Sequence, residues 1–256
     1  GDLYELIDVL HNSSSNLDNK LNVDRTLWMH AFNYTLINFD SYVGYGQNYY
    51  LYKSLSNQFQ PILWDLNMSF GGFRLTDATQ AFFNGFDINQ AQTMDPLGFL
   101  SNNFLSPRPL ISNILSDTRK QRMYLAHMKT IVEDHFSNQD YFSRAQYLQN
   151  LISNDVQNDP NKFYSFNDFT TNLTSQVSLP SSICPGITQL MDSRSTYLTN
   201  YWANFTQPII SNIQSLPNSN QFFGDDLTIT AEIQDASYAM LAYRFGENMP
   251  FQEVEM

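Results

Sequence analysis

The stretch from Asp40 to Phe73, DSYVGYGQNYYLYKSLSNQFQPILWDLNMSFGGF, restricts the possible folds more than any other. Tyr49–Ser54 and Phe59–Trp64 are short aromatic and aliphatic runs, and the tetrad Leu55-Ser56-Asn57-Gln58 between them predicts a hairpin loop. A carboxylate stands at each end, Asp40 before the hairpin and Asp65 after it. A hairpin returns the chain to the edge where it began, so it can bring both carboxylates to one side of the sheet. Such a pair can bind a hard cation, or divide labour between a base and a metal ligand. The same residues also read as ordinary turn residues, since Asp beside Gly and Ser satisfies local backbone groups.

The bulk composition excludes several classes. At 256 residues the chain has room for one large domain or two ordinary ones, and 42% hydrophobic content with 15% aromatic residues supports a packed core. A net charge of -12, from 13 basic and 25 acidic residues, leaves no basic stripe for phosphates, which argues against nucleic acid and anionic membranes as partners. No apolar run reaches the roughly 18 residues of a membrane helix, so direct membrane insertion is not expected. Cys184 is the sole cysteine, which excludes an internal disulfide and a cysteine-rich zinc site, and SSICPG offers it no neighbouring His. The opening GDLYELIDVL is amphipathic and acidic rather than a signal peptide, and its initial Gly reads as a remnant on an excised fragment. Sequons occur at Asn12, Asn33, Asn67, Asn172 and Asn204, and the general richness in Asn and Gln accounts for them by chance.

Periodicity predicts an α+β chain, mainly helical, with the hairpin inserted. Leu3–Leu10 reads as a helix end and HNSSSNLDNKLN as a loop. Asp24 is expected to start a buried helix through Leu27, Trp28, Ala31, Phe32, Leu36 and Phe39, delivering Asn38 and Asp40 at its C-terminal end. An Asp there opposes the helix dipole, which favours a functional role. Residues 74–109 lack clear periodicity and read as an excursion able to cover a cleft. Leu110–Leu115, Arg119–Phe136, Tyr141–Val156 and Ile187–Phe205 follow as helical segments. His127 and His135, eight apart on one of them, read as packing or surface residues. From Gln207 the pattern turns to strands, over Pro208–Ile213, Leu227–Ile233, Tyr238–Tyr243 and Phe251–Met256. These are too few for a complete sandwich of about seven strands, so residues 207–256 are expected to be the incomplete start of an immunoglobulin-like β-domain.

The run NFDSY…QNYYLYKS…FQPILWDLNMSFGGF resembles the signature region of the spore-coat protein H (CotH) kinase family, with WDLNMSFGG its most specific part. An NDP break, the turn Pro185-Gly186-Ile187 and an Arg-x-x-Tyr-Leu segment (Arg194, Tyr197, Leu198) extend the resemblance over about residues 1–206. The resemblance implies an atypical protein-kinase-like C-terminal lobe that uses ATP with Mg²⁺ or Mn²⁺. It also implies a protein phosphoacceptor, and a secreted or cell-surface location in a bacterium beside further domains of a parent chain. Carried over to this sequence, Asp40 matches the catalytic Asp. Asp65 matches the metal-binding Asp, and Asn48 a second residue contacting cofactor and metal. Asn67 stands where many relatives carry another Asp, which removes one negative charge while leaving an amide oxygen able to coordinate. Gly71 and Gly72 allow close backbone approach, and Trp64 or Tyr49 can pack beneath the site.

A kinase also needs a cover over the phosphates and a cation for them. The 39 residues before Asp40 contain no GxGxxG, no GxxxxGK[ST] and no VAIK-like strand, so the chain by itself is expected to bind ATP poorly. Two other readings stay open. One is a non-catalytic surface adhesin or scaffold with a kinase-like fold. The other is carbohydrate hydrolysis through the Asp40/Asp65 pair, which paired carboxylates also suit.

Overall fold

The computed structural model describes residues 1–12, 14–73, 86–101, 108–179, 182–217, 226–246, 249 and 251–256. The chain divides into two compact units, Gly1–Trp202 and Ala203–Met256.

In the first unit, α1 (Asp2–Asn12) buries Leu6 and Leu10. The expected loop after it contains a 3-10 helix, Ser14–Asn19. The spine is α2 (Val23–Thr35), in which nine residues are buried. It starts ahead of Asp24 because Asn22 is the N-cap, its side-chain oxygen accepting the N–H of Arg25 at 2.9 Å.

Helix α2 also ends earlier than its apolar pattern suggests. Ile37 takes a left-handed backbone (φ 51°), and the N–H of Asn38 returns to the Asn33 carbonyl at 2.8 Å. A β-branched residue in that region is a genuine outlier, costing about 1–3 kcal/mol that surrounding packing must offset. Ile37 is fully buried, which supplies that packing. Asp40 therefore lies beyond the helix, just ahead of the short helix α3 (Tyr42–Tyr45), whose N-cap is Ser41. The expectation that Asp40 sits on the C-terminal dipole of α2 is corrected accordingly.

Strands β1 (Tyr49–Lys53) and β2 (Phe59–Leu63) form the predicted antiparallel hairpin, in register from Tyr49 opposite Leu63 to Lys53 opposite Phe59. The hairpin region is fastened to both ends of α2. At the start, Phe59 donates to the Lys20 carbonyl at 2.7 Å and accepts from the Asn22 N–H at 2.9 Å. At the finish, the N–H groups of Phe70 and Gly71 donate to the carbonyls of Leu36 (2.8 Å) and Ile37 (3.1 Å). Those are carbonyls that a helix end leaves without internal partners.

The passage expected to lack structure contains α4 (Ile88–Gln92) and α5 (Gly98–Ser101), and Phe86, Ala91 and Phe99 join the core. The expected cleft cover falls partly on residues 74–85 and 102–107, outside the described residues. Next come α6 (Pro109–Ser112), α7 (Thr118–Ile131) continued by a π-helical turn Val132–Phe136, and α8 (Asp140–Asn158). Helix α9 (Phe166–Thr171) and the small hairpin β3 (Val177–Leu179) and β4 (Ser182–Cys184) were not legible as periodic patterns. Helix α10 (Ile187–Ala203) closes the unit. His127 of α7 bonds Asp24 of α2 at 2.9 Å and stacks on Trp28 with ring centroids 4.0 Å apart, so it joins those two helices.

In the second unit, β5 (Ile209–Leu216) pairs with β6 (Thr228–Gln234), and β7 (Met240–Tyr243) with β8 (Gln252–Glu255). All four β-patterned runs form strands. Among the described residues they make two separate two-stranded sheets.

Candidate functional site

The site forms where the hairpin meets the end of α2. Asn38 is buried, its side chain donating to the side-chain oxygen of Asn33 at 2.9 Å, and Ser41 donates to the Asn38 carbonyl at 2.7 Å. These bonds fix the backbone on either side of Asp40, which is half-buried. Its carboxylate accepts a short hydrogen bond from the side chain of Gln47 through Oδ1. Helix α3 is held from beneath by buried Arg108, whose Nε donates to the Val43 carbonyl at 2.9 Å and whose Nη2 donates to that of Gly44. The N–H of Leu110 donates to the Tyr42 hydroxyl at 2.9 Å, and His30 donates from Nε2 to the Leu110 carbonyl at 3.0 Å. Burial pushes the Tyr42 hydroxyl up from its ordinary value and the His30 imidazole down to about 4.

Asn48 connects the two carboxylate-bearing segments. Its side-chain amide donates to the backbone carbonyl of Asp40 at 2.8 Å, and its own carbonyl accepts the N–H of Trp64 at 3.2 Å. Asp65 follows Trp64 directly. Both Asn48 (φ 56°) and Asp65 (φ 51°) adopt left-handed backbone, a region that Asn and Asp tolerate best among residues with a side chain. The continuous β-ladder ends at Tyr49 and Leu63, so the next residue on each strand can turn toward the other.

The structure thus brings Asp40, Asn48 and the start of the Asp65 turn together. Asp65 and Asn67 are exposed, and among the described residues their side chains have no hydrogen-bond partner. Trp64 does not pack beneath the site: it is 56% exposed and meets Tyr50 edge-to-face at 5.3 Å. Tyr49 lies deeper, against Tyr42 at 5.1 Å. Gln47 was not singled out from sequence, although its place beside Asn48 at the open end of the hairpin was a usable signal. Arg108 gave none, because the residues it holds are more than sixty positions away.

Gly71 meets the side chain of Pro185 from the other signature turn. It has φ +74°, and a Cβ there would lie 3.1 Å from Cγ of Pro185. The FGG turn therefore rests on the Pro185-Gly186-Ile187 turn. The Arg-x-x-Tyr-Leu segment reaches the same region from α10. Arg194 is fully buried, and its guanidinium donates to four carbonyls: Tyr34 and Thr35 at the end of α2, and Ala91 and Met94 around the end of α4. Burial lowers its pKa to about 10, so it remains a cation at neutral pH. Its compensation comes from the partial negative charge of helix ends rather than from a carboxylate.

Among the described residues, no three His, Cys, Asp or Glu side chains converge on a point, and no helix is long and apolar enough to cross a membrane. The oxygen-only donors Asp65, Asn48 and Asn67 fit Mg²⁺ or Mn²⁺, since Mg²⁺ commonly takes one or two carboxylates with water and phosphate oxygens.

No curated protein matches the chain. A family model described as CotH kinase protein matches residues 1–203, which contain the hairpin, both carboxylates and the Arg194 anchor. By that match the chain belongs to the CotH kinase family and is a kinase-like protein.

Proposed function

We propose that the Asp40–Asp65 site serves metal-dependent phosphoryl transfer from ATP to Ser or Thr hydroxyls of exported or surface proteins. The observation that carries this reading is the Asn48 bridge, which links the backbone of Asp40 to the strand leading into Asp65. Phosphoryl transfer asks the protein mainly for positioning and charge neutralisation, and such a bridge fixes one carboxylate relative to the other. Asp40 orients the acceptor hydroxyl and takes up its proton. Gln47 occupies Oδ1 and leaves Oδ2 for that contact. Asp65, with the amide oxygens of Asn48 and Asn67, holds a divalent cation that neutralises phosphate charge when bound. We further propose that residues 207–256 are the incomplete start of an immunoglobulin-like β-domain, a reading supported by the alternation of LTITAEI and the antiparallel pairing of β5 with β6. The exported setting rests on the family resemblance.

Mn²⁺ binding and phosphate transfer from labelled ATP test the site together. Wild-type protein is expected to bind Mn²⁺, and to transfer phosphate when assayed within a longer parent protein that supplies the phosphate cover. Asp65→Ala is expected to lose both. Asp40→Ala is expected to keep Mn²⁺ and lose transfer. A folded protein with neither Mn²⁺ binding nor nucleotide binding would overturn the proposal and favour the non-catalytic surface module.

A further inference from the structure

Helix α8 is turned the wrong way round for a helix of an isolated molecule. None of its 19 residues is buried. The side it offers to the rest of the unit is carried by half-buried Ala145, Gln149, Ser153 and Val156, with Gln149 donating to the Phe169 carbonyl at 2.7 Å. Past its first turn the larger apolar side chains lie on the opposite side: Tyr147, Leu148, Leu151 and Ile152 are between 42% and 62% exposed. Amphipathic helices normally bury that stripe, so this one is left for a partner.

The arrangement of charges identifies the partner. Arg144, Leu148, Leu151 and Asp155 follow one another at steps of four, three and four, the spacing of a seam between two helices. The sequence of the seam is self-complementary when reversed. In the antiparallel register that sets Leu148 against Leu151 of another copy, Arg144 faces Asp155 of that copy, and the same two contacts recur on the other side of the two-fold axis. Tyr147 and Ile152 then flank the seam. The Arg144 guanidinium lies over the Tyr147 ring, 5.4 Å from its centroid, which keeps it along the stripe. Among the described residues neither Arg144 nor Asp155 has an ion-pair partner within its own chain. A different partner would not require charges placed symmetrically about the stripe, whereas a second copy does.

We propose that α8 is a self-association surface, pairing antiparallel with α8 of a second copy of this chain through Leu148, Leu151 and two Arg144–Asp155 ion pairs. The seam is short and the chain carries a net charge of -12, so the dimer forms with concentration and is weak. Sedimentation of the full chain from about 1 to 500 µM covers the weak end of specific association. A dimer is expected for the wild type and its loss for Leu148→Glu. Arg144→Asp and Asp155→Arg are each expected to weaken self-association about tenfold, because each replaces two attractions by two repulsions. The double exchange Arg144→Asp/Asp155→Arg is expected to restore it. An equimolar mixture of the two single variants is expected to associate like the wild type, since each then meets its complement. These exposed substitutions leave the monomer fold intact, which thermal unfolding checks. A wild type monomeric across the range, a dimer indifferent to Leu148→Glu, or single variants that fail to recover on mixing would each overturn the proposal.

Discussion

Nη2 of Arg194 donates to the carbonyl of Tyr34 at 2.8 Å, across 160 positions of sequence. Nε takes the next carbonyl, that of Thr35, at 2.9 Å. A residue of the last long helix thereby closes the end of α2, from which the chain passes through Asn38 to Asp40. The two remaining acceptors, Ala91 and Met94, bind the α4 region to the same cation. The guanidinium thus stands in for several helix-capping interactions at once. It explains how an Arg lies in the core with no ion-pair partner among the described residues.

Lysine cannot reproduce this fork, because its ammonium is a single point with three donors. Arg194→Lys is expected to lower stability by about 3 kcal/mol, the scale for a buried charge that loses part of its compensation. Urea unfolding measures it. An unchanged midpoint would mean that the four bonds carry no net free energy.

The two glycines at the contact between signature turns differ in what surrounds them. At Gly186 a Cβ would lie 2.4 Å from the backbone nitrogen of Ser175, and backbone cannot easily move aside. At Gly71 the close neighbour is the ring of Pro185 at 3.1 Å, and the cost comes also from φ +74°. Gly186→Ala is therefore expected to destabilise by about 3 kcal/mol or more and Gly71→Ala by about 1–2 kcal/mol. Thermal unfolding of the two variants side by side gives the order, and the reverse order would contradict this packing.

His30 makes stability depend on acid. Its Nε2–H bonds the Leu110 carbonyl while the buried Nδ1 has no partner among the described residues, so protonation would create a buried orphan donor. The folded value is near 4 against an ordinary 6.5, and the unfolded chain therefore takes up the proton first. This contribution is fully present above pH 6.5 and is lost as pH falls from there toward 4, by up to about 3 kcal/mol. Unfolding free energies at pH 7 and pH 4.5 should differ less in His30→Gln than in the wild type. Equal differences would show that His30 is not responsible.

Under the proposed function, charge at the Asp65 turn is expected to set metal affinity. Asn67 is exposed two residues after Asp65, where a second carboxylate would strengthen attraction to a divalent cation without disturbing packing. Asn67→Asp is expected to raise Mn²⁺ affinity by about tenfold, and Asp65→Asn to lower it by at least as much. Titration calorimetry with Mn²⁺ reads both. Opposite signs would overturn the assignment of Asp65 and Asn67 to the proposed metal site.

Much was legible in advance because it is local. Two short aromatic and aliphatic runs, Tyr49–Ser54 and Phe59–Trp64, with the polar tetrad between them specify a hairpin locally. The apolar spacing of α2, α7, α8 and α10 specifies helices in the same way. Where local pattern misled, a longer-range contact had prevailed. The apolar residues past Thr35 suggested more helix, but Leu36 and Ile37 give their carbonyls to Phe70 and Gly71 instead. Trp64 was expected to pack beneath the site, but it is exposed just past β2 and meets Tyr50 edge-to-face.

By itself the sequence determined the central hairpin, the longer helices, the four strands after residue 207, and which carboxylates stand at the two ends of the hairpin. The tertiary structure alone decided that Asn48 bridges Asp40 to the strand before Asp65, that Arg194 closes α2, and that α8 turns its leucines outward. The division follows from range. Periodicity and turn chemistry act over a few residues, whereas desolvated hydrogen bonds and exposed faces depend on partners that are distant in sequence and meet only when the chain packs.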